Sequence, residues 1–510
     1  MAFDFLGIRA SVYDIDFYKG DHKRQYPDDL AYVYSNTIAR KSRVPGCDKV
    51  VVYGMRVLDA VLQTLVESLK QMGTADVYDY REFMATRLNL PKFDAAHIME
   101  LVNYVQKHDR LPVQIWTLPE GMIVPIQTPV LAIRNVEPEA PLGRSPFAWF
   151  VNYLETMISN TIWHPMTTAT IANQYRILLD SAAERSGADM GFVNWQGHDF
   201  SFRGQTCLPA GRISGLGHLL SFYGTDTAPS IKLAEQLYPA TRGPIVAGSI
   251  PATEHSVMCC GGPEGEDALY ARLLTEVYPT GPVAIVGDSY DYWNCLWERL
   301  PHLKHVIMER DGKMVTRPDS GDPVKVILGD PVSTVVAEQL GVVRCLDRVC
   351  GHDINWKGFK ALNPHIGSIY GDSITLDRAD AIVEGLIDLG YVSTSTVLGI
   401  GSYTYQYVTR DTFGFAIKAT AIKRGDDKTW TSIYKQPKTD PGKNSRKGVL
   451  AVTNQNGQIV TEENCHDIGV THSGRSCMLQ PLEMTRQADF NVMRDWLATQ
   501  RNFDRQVGTC

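Results

Sequence analysis

The stretch "EGEDALYARLLTEVYPTGPVAIVGDSYD", residues 264–291, joins a segment of helical spacing to a short apolar run and a polar end. The run "PVAIVG" is typical of a strand that is buried on both faces. Similar runs follow from about residue 244: "PIVAGS" (244–249), "KHVIM" (304–308), "GVVRCL" (341–346), "IGSIYG" (366–371) and "TVLGIG" (396–401). Helical spacing recurs at 330–341 and 375–390. This alternation predicts an α/β fold with a parallel sheet, either doubly wound or closed into a barrel.

Polar side chains follow several of these predicted strands directly. Asp288 comes after "AIVG", Asp372 after "SIYG", and Glu254 with His255 after "VAGSIPAT". In parallel α/β folds the carboxyl ends of the strands are where ligands bind. Aspartate also caps the helices that follow such strands. The shared position nevertheless favours a binding site at this edge of the sheet.

The regions on either side have a different pattern. Residues 1–165 contain amphipathic helical patterns at 55–72 and 93–108 and a β-like, proline-punctuated piece at 111–133, which indicates a mixed α/β domain. Residues 166–424 are assigned to a barrel-like catalytic domain. Beyond residue 424, a stretch rich in Lys, Arg, Pro and Gly indicates an exposed loop. We expect the C-terminal segment, 425–510, to pack on the N-terminal domain.

Composition narrows the class of protein. The chain has 510 residues, of which 44% are hydrophobic and 21% charged, and its net charge is −7. These values are typical of a soluble globular protein of two or three domains and argue against one that coats nucleic acid. We find neither a signal-peptide pattern nor an apolar run of the ~20 residues that cross a bilayer. The ten cysteines include no C-x-x-C pair. Although Cys345, Cys350 and His352 lie close in sequence, reduced thiols in a cytoplasmic protein are the simpler interpretation.

The turn "VTRPDSGDPV", residues 315–324, places Arg317 two residues from Asp319 on a proline-stiffened corner. The two side chains can pair with each other and close the turn. They can also present a fixed cation and a fixed anion to a ligand that carries hydroxyl groups and negative charge. The turn alone leaves both interpretations open.

Two further segments offer groups for an aromatic, phosphorylated ligand. In "GHDFSFRGQT" (197–206), Phe200 can stack on a ring and Arg203 can clamp an anion. A packed loop aromatic and a surface arginine are the simpler interpretation of this segment alone. In "FYGTDTAPS" (222–230), Asp226 can cap the next helix. It can also accept a hydrogen bond from an amide and repel a ring carboxylate, which would select between an amide and an acid.

Other candidates concern phosphate. His255 beside Glu254 is either a structural histidine or a general base and phosphoryl acceptor. Gly-Asp-Ser follows two predicted strands, at 287–289 and 371–373, where glycine permits close approach of the backbone to a ligand. The lysine of a P-loop is missing from both segments. Cations also collect in the last quarter of the chain, either as a solvated face or as a pyrophosphate pocket. They are Arg410, Lys418, Lys435, Lys438, Lys443, Arg446 and Lys447.

Together these groups describe a ligand that is flat at one end, hydroxylated in the middle and phosphorylated at the other. That is a nucleotide made or broken at its glycosidic bond. The segments "DIDFYKGDHKRQYP", "GHDFSFRG", "GTDT", "SIPATEHS", "GDSYD", "RPDSGDP", "IYGDSI", "TRD" and "KNSRKG" occur in this order between residue 14 and about 448. In sequence and order they resemble the nicotinamide phosphoribosyltransferases and their nicotinate-using relatives.

The resemblance implies an irregular α/β barrel of the type II phosphoribosyltransferase kind, in a homodimer whose subunits share each active site. It implies transfer from 5-phosphoribosyl 1-pyrophosphate to nicotinamide, with Mg²⁺ and with ATP hydrolysis coupled through a phosphohistidine. Nicotinamide would contact Phe200, Asp226 and Arg317, together with Asp16 and with Tyr18 of the partner subunit. The expected phosphoribosyl and pyrophosphate ligands are Arg203, His255, Asp319, Gly371, Asp372, Ser402, Arg40, Arg410, Lys418 and Lys435. The expected catalytic residues are His255, Asp288, Arg317 and Asp319, with Asp288 near the metal.

The chain departs from the family at "GIGSYTYQ" (399–406), where Ser402 and Tyr403 replace a glycine-rich phosphate turn. Their side chains either crowd the 5′-phosphate, or Ser402 donates its hydroxyl to it. Two rival functions stay open. A nicotinate phosphoribosyltransferase is disfavoured because its substrate carboxylate would face Asp226. A non-catalytic barrel that binds a phosphoribosyl ligand is disfavoured by the combination of His255, Asp288, Asp319 and Lys418.

Overall fold

A computed structural model describes residues 6–136, 146–371, 373–439 and 444–507, so Asp372 and Lys443 lie outside the described residues. The strands are β1 Leu30–Ile38, β2 Lys49–Val51, β3 Val113–Thr117, β4 Ile123–Pro125, β5 Pro129–Asn135, β6 Gly197–Asp199, β7 Val283–Val286, β8 Met314–Arg317, β9 His352–Ile354, β10 Lys360–Leu362, β11 Ile366–Tyr370, β12 Thr396–Ile400, β13 Ala416–Arg424, β14 Thr431–Ser432, β15 Ala451–Gln455, β16 Gln458–Glu462 and β17 Gln480–Pro481.

The longer helices are α1 Met55–Gln71, α2 Thr74–Arg87, α3 Ala96–His108, α4 Glu155–Ser186, α5 Leu208–Leu219, α6 Ala228–Leu237, α7 Gly262–Arg272, α8 Val336–Cys350, α9 Leu376–Asp388 and α10 Phe490–Val507. Shorter helices span His22–Gln25, Ala148–Tyr153, Met190–Gln196, His255–Cys259, Tyr292–Asn294, Leu300–His302, Lys304–Glu309, Pro323–Leu328 and Ser402–Tyr405. No helix in the described part of the chain is both long enough and apolar enough to span a membrane.

The chain forms two compact units. Unit 1 comprises Met1–Thr170, Leu233–Pro244 and Val408–Cys510, and unit 2 comprises Ile171–Lys232 and Ile245–Tyr407. This division differs from the sequence-based boundaries at 165 and 424. The reason is that β13 pairs along the length of β1 in unit 1, with Asn36 opposite Lys418. Through this pairing, residues 408–424 belong to unit 1 and not to the α/β segment that precedes them in the sequence.

Unit 1 is built on an antiparallel sheet with the strand order β14-β13-β1-β5-β3-β17. The helices predicted at 55–72 and 93–108 are confirmed as α1 and α3, and the β-like piece at 111–133 contains β3, β4 and most of β5. The C-terminal strand β17 pairs with β3, with Gln480 opposite Thr117. The described part of the C-terminal segment thus belongs to the same unit as the N-terminal region.

Unit 2 contains a parallel sheet with the strand order β6-β12-β11-β8-β7. Strands β7 and β11 are buried along their whole length, as expected for a sheet that is covered on both faces. Isolated parallel bridges extend the pairing on both sides. They join Asp199 to Thr225, Gly224 to Gly248, and Ala252 to Ala284. The predicted parallel α/β arrangement is confirmed.

Three predicted strands of this region are not strands. "PIVAGS" is irregular and contributes the single bridge at Gly248. "KHVIM" lies in the helix Lys304–Glu309, since Leu303 and Ile307 are buried four residues apart while Lys304 is exposed. "GVVRCL" lies in α8, where the buried residues recur with helical spacing. Short β-branched runs do not distinguish a strand from a buried helix.

Candidate functional site

A cavity of about 250 Å³ lies among the strands of unit 2. Its wall is mostly apolar. The lining residues are Phe192, Trp195, His198, Phe200, Asp226, Ser249, Ile250, Ala252, Pro282, Ala284, Lys313, Val315, Arg317, Ile369 and Val397. Lys313, Val315 and Arg317 are spaced by two residues and therefore share one face of the sheet. The volume is below the roughly 300 Å³ of the smallest drug-sized pockets, which suits a single small ring.

Phe200 follows β6 and lines this cavity. Its N–H donates to the carbonyl of Ile400 at 3.0 Å, which fixes it beside the end of β12. Glycine is needed at position 399, because a Cβ there would lie 2.5 Å from the Phe200 ring. The Arg317 guanidinium lies 5.1 Å from the ring centroid, within the range of a cation–π contact. The half-buried ring is thus held by its surroundings and keeps part of its surface for a ligand.

The turn at 315–324 begins as a strand, and Arg317 is the last residue of β8. Nη2 of Arg317 lies 3.5 Å from Oδ1 of Asp319, a loose ion pair. Nε of Arg317 is buried and has no hydrogen-bond partner among the described residues. Gly371 leaves room for the pair, since a Cβ there would lie 2.8 Å from Asp319 Oδ1. Both side chains therefore keep hydrogen-bonding capacity for a ligand, as the second interpretation of this turn requires.

Asp288 follows β7 and accepts hydrogen bonds from three protein donors. Its Oδ1 lies 3.0 Å from Nε2 of His255, and its Oδ2 accepts from the N–H of Asp319 at 2.9 Å and from the hydroxyl of Ser320 at 2.7 Å. The Asp288 side chain is 5% exposed, whereas that of His255 is 46% exposed. Because an ionised carboxylate only accepts, Nε2 of His255 carries the hydrogen and Nδ1 keeps its lone pair in the neutral ring. Asp288 thus connects His255 to the turn that carries Asp319.

Asp226 stands at the cavity wall, held by two side chains that sequence analysis did not single out. Its Oδ1 lies 2.9 Å from Nε2 of His198 and accepts a short hydrogen bond from the Ser249 hydroxyl. Burial raises the pKa of Asp226, but the bonds from His198 and Ser249, with the charge of Arg317, outweigh burial and lower the pKa below its ordinary value. The side chain is 40% exposed. An ionised carboxylate therefore faces the cavity, and no described residue donates to its Oδ2.

Arg203 and Ser402 lie on adjacent loops of unit 2. Arg203 is exposed, and Ser402 begins a short helix. Gly204 lies between the loops, since a Cβ there would be 2.1 Å from the Ser402 hydroxyl oxygen. The exposed rings of Tyr403 and Tyr407 stack with their centroids 5.3 Å apart. In place of a glycine-rich turn, this chain therefore has a short helix that begins at Ser402 and an exposed pair of stacked tyrosines.

Unit 1 contains a cationic cluster formed by Arg40, Lys418 and Lys435. Nζ of Lys418 lies 3.6 Å from Oε1 of Glu155, whose Oε2 accepts from Lys19 at 2.9 Å. Burial lowers the pKa of Lys418, Glu155 opposes this effect, and Arg40 and Lys435 lower the pKa further. One carboxylate thus balances several cations, and the cluster suits a polyanion.

The other predicted ligand-binding residues of unit 1 lie near the surface. The Thr156 hydroxyl donates to Oδ2 of Asp16 at 2.8 Å, and the Tyr18 hydroxyl lies 3.5 Å from the same oxygen. Tyr18 is exposed, with His22 and Lys19 beside its ring, so part of the ring surface is open to a ligand. Arg410 lies 3.3 Å from the carboxylate of its neighbour Asp411. These side chains offer an aromatic face and a second cationic position.

Oxygen donors for Mg²⁺ are few. Among the described residues, no group of three or more His, Cys, Asp or Glu side chains forms a metal centre. Mg²⁺ usually keeps several waters and binds one or two carboxylates together with substrate phosphates. Asp288 uses three of the roughly four acceptor positions of a carboxylate, and Asp319 is partly exposed. The pair therefore fits a cation that is shared with a phosphorylated substrate.

Comparisons with known proteins agree with this chemistry. The model of the nicotinate phosphoribosyltransferase (NAPRTase) family matches residues 195–472. A nicotinamide phosphoribosyltransferase of Acinetobacter baylyi is 41% identical over 93% of this chain and 95% of its own length. One from Mycoplasma pneumoniae is 35% identical over 85% of this chain and 93% of its own length. The crystal structure of nicotinate-nucleotide pyrophosphorylase from Pyrococcus furiosus shares the fold, with a TM-score of 0.54 and 12% identity over 96% of this chain and 95% of that one. The chain belongs to the nicotinate phosphoribosyltransferase family.

Proposed function

We propose that the protein transfers the phosphoribosyl group of 5-phosphoribosyl 1-pyrophosphate to nicotinamide, giving nicotinamide mononucleotide and pyrophosphate in NAD salvage. The observation that carries this proposal is the position of the Asp226 carboxylate at a cavity of single-ring size, with Arg317 and Phe200 beside it. The names of the two relatives, nicotinamide phosphoribosyltransferase, support the choice of the amide.

Nicotinamide would stack on Phe200 with its amide between Asp226 and Arg317. The amide N–H would donate to Oδ2 of Asp226, which no described residue uses. The amide oxygen would accept from the Arg317 guanidinium, whose Nε has no partner among the described residues. Nicotinate would instead bring a second carboxylate to Asp226. A buried mismatch of this kind is costly, which selects for the amide.

The sugar would lie beyond the ring, at the turns after β8 and β11. Asp319 would accept from a ribose hydroxyl, and Asp372 is proposed for the same role. Gly371 would present its N–H to the 5′-phosphate. Arg203, His255 and Ser402 offer donors for phosphate oxygens, which suits the exposed positions of Arg203 and His255 and the partly exposed position of Ser402.

In the transfer, the bond between ribosyl C1′ and the pyrophosphate oxygen breaks and the pyridine nitrogen bonds to C1′. Positive charge develops on the sugar, as in glycoside hydrolysis. Asp319 would stabilise this charge while Arg317 holds the amide. Arg317 already lies against the Phe200 ring and pairs with Asp319, and such preorganised charge is usually the largest catalytic contribution. Mg²⁺, bound with the substrate near Asp288 and Asp319, would offset the negative charge of the leaving pyrophosphate.

Unit 1 would complete this site in a homodimer. Tyr18, Asp16, Arg40, Arg410, Lys418 and Lys435 of one subunit would contact the ligand bound by unit 2 of the other. Support comes from their chemistry, an exposed aromatic ring and a cationic cluster that matches pyrophosphate.

ATP coupling would depend on His255. Since Nε2 faces Asp288, the nucleophile is Nδ1, which would attack the γ-phosphorus of ATP and release ADP. The exposed ring is accessible for this reaction. We further propose that the parallel strands of unit 2 close into an irregular α/β barrel through the three isolated bridges, and that the enzyme is cytoplasmic.

The variant Asp226→Asn tests the placement of the amide. An asparagine no longer repels a carboxylate and can donate to it, so discrimination against nicotinate should fall by ~1–3 kcal/mol, which is about five- to 150-fold. The measurement is the ratio of kcat/KM for nicotinamide and nicotinate. An unchanged ratio would mean that Asp226 does not contact the ring substituent.

A further inference from the structure

We propose that His198 and Ser249 are positioning residues that set the choice between an amide and an acid by fixing the Asp226 carboxylate. This inference rests on the proposed function. Neither side chain need touch the reacting atoms. Both act by holding one oxygen of Asp226 and leaving the other for the ligand.

The hydrogen bonds converge on a single oxygen. Nε2 of His198 and the hydroxyl of Ser249 both contact Oδ1 of Asp226, and they lie 3.4 Å from each other. Oδ2 receives no donor from the described residues. A carboxylate with one oxygen occupied in this way cannot turn freely, so its second oxygen keeps a fixed direction for an incoming N–H donor.

His198 is itself held in place. It is buried, its ring lies 4.8 Å from that of Phe200, and a Cβ at Gly224 would lie 2.7 Å from its Nδ1. The hydrogen on Nε2 follows from the ionised acceptor that it faces. The His198 ring therefore contacts both Phe200, on which the pyridine is proposed to stack, and Asp226, which is proposed to select the substituent of the pyridine.

The charges around Asp226 favour its ionised form. His198 and Arg317 face it directly, Lys313 lines the same cavity, and Asp319 offsets part of the charge of Arg317. An ionised Asp226 accepts from nicotinamide and repels nicotinate. Removal of either hydrogen-bond donor would let the carboxylate turn and take up a proton more readily. Protonated Asp226 can donate to a carboxylate, so nicotinate would gain relative to nicotinamide.

Ser249→Ala and His198→Leu test this inference, with Ser249→Thr and His198→Gln as controls that keep a donor. The readouts are kcat/KM for both substrates and the dependence of their ratio on pH. We expect Ser249→Ala and His198→Leu to lower the nicotinamide preference about three- to tenfold, since one hydrogen bond to a charged group is lost. We also expect the preference to decline at a higher pH than in the parent. The controls should stay close to the parental ratio.

Equal losses for both substrates, with an unchanged ratio and pH profile, would mean a merely structural role and would overturn the inference. Because Ser249 is exposed, Ser249→Ala is expected to fold and decides the question if His198→Leu does not. Asp226→Asn distinguishes failure of the proposed amide contact from failure of the inference about positioning. If that variant leaves the ratio unchanged, the proposed amide contact is wrong. If it shifts the ratio and Ser249→Ala does not, only the inference about positioning is wrong.

Discussion

Two histidines have opposite surroundings, one beside the turns of unit 2 that carry Asp288 and Asp319 and the other in the aromatic core of unit 1. His255 is 46% exposed and pairs with Asp288. His97 on α3 is 6% exposed, packs edge-on against Trp149 at 4.8 Å, and has no hydrogen-bond partner for Nε2 among the described residues. The charged groups at the strand ends of unit 2 can thus still form hydrogen bonds to a ligand. The stability of the core of unit 1, in contrast, depends on a neutral His97 ring. Changes in the first region should alter chemistry, and changes in the second should alter stability.

The largest effect is expected for Asp319→Ala. Loss of a preorganised charge at the sugar should lower kcat by about 10²–10³-fold, with or without ATP. The melting temperature should change little, because the carboxylate is partly exposed and only loosely paired. Steady-state kinetics and thermal melting check both parts, with Asp353→Ala on the exposed strand β9 as the matched control. Nearly parental turnover of Asp319→Ala would contradict the assignment of the chemistry to the strand ends of unit 2.

A pH-dependent loss of stability is expected from His97. Burial lowers its pKa from 6.5 to about 4, so unfolding takes up a proton at acidic pH. The stabilisation from the neutral ring is complete above pH ~6.5 and is lost progressively toward pH 4, by about 3 kcal/mol over that range. In His97→Phe the fall in melting temperature between pH 7 and pH 5 should therefore be smaller. Equal pH dependence in parent and variant would show that His97 does not titrate in this way.

His255→Ala should separate ATP coupling from transfer. The variant should lose ATP hydrolysis and the acid-labile, base-stable phosphate label, because the only proposed acceptor nitrogen is gone. ATP-independent transfer should persist at a reduced level, roughly tenfold lower, since Arg317 and Asp319 remain. Radiolabelled ATP and a pyrophosphate-release assay measure the two activities. Hydrolysis and labelling at the parental rate would assign the coupling to another residue.

The smallest signal is expected from mixed subunits. Tyr18→Ala and Arg203→Ala chains should each be nearly inactive alone. If the subunits exchange at random, half the dimers are mixed and each holds one intact site, so about a quarter of the sites recover. The assay is activity after exchange, which is verified with tagged chains. No recovery would mean that each chain builds its own site.

Sequence reasoning predicted the parallel sheet because its buried strands are short, apolar and followed by polar residues, as in "PVAIVGDS". It mistook "KHVIM" and "GVVRCL" for strands, since a short β-branched run has the same composition in a buried helix. For the site, chemistry and motif order singled out Phe200, Asp226, Arg317 and Asp319 as candidates, and the structure brings them to one cavity or its adjoining turn. His198 and Ser249 lay inside quoted segments but were missed, because their role depends on contacts across 28 and 23 residues of chain with Asp226.

The most direct test of the account is the turnover of nicotinamide and nicotinate side by side, with 5-phosphoribosyl 1-pyrophosphate and Mg²⁺. We expect nicotinamide mononucleotide and pyrophosphate in equal amounts, with kcat/KM for nicotinamide at least about tenfold above that for nicotinate. Equal or faster use of nicotinate, or binding of the ligands without release of pyrophosphate, would contradict it.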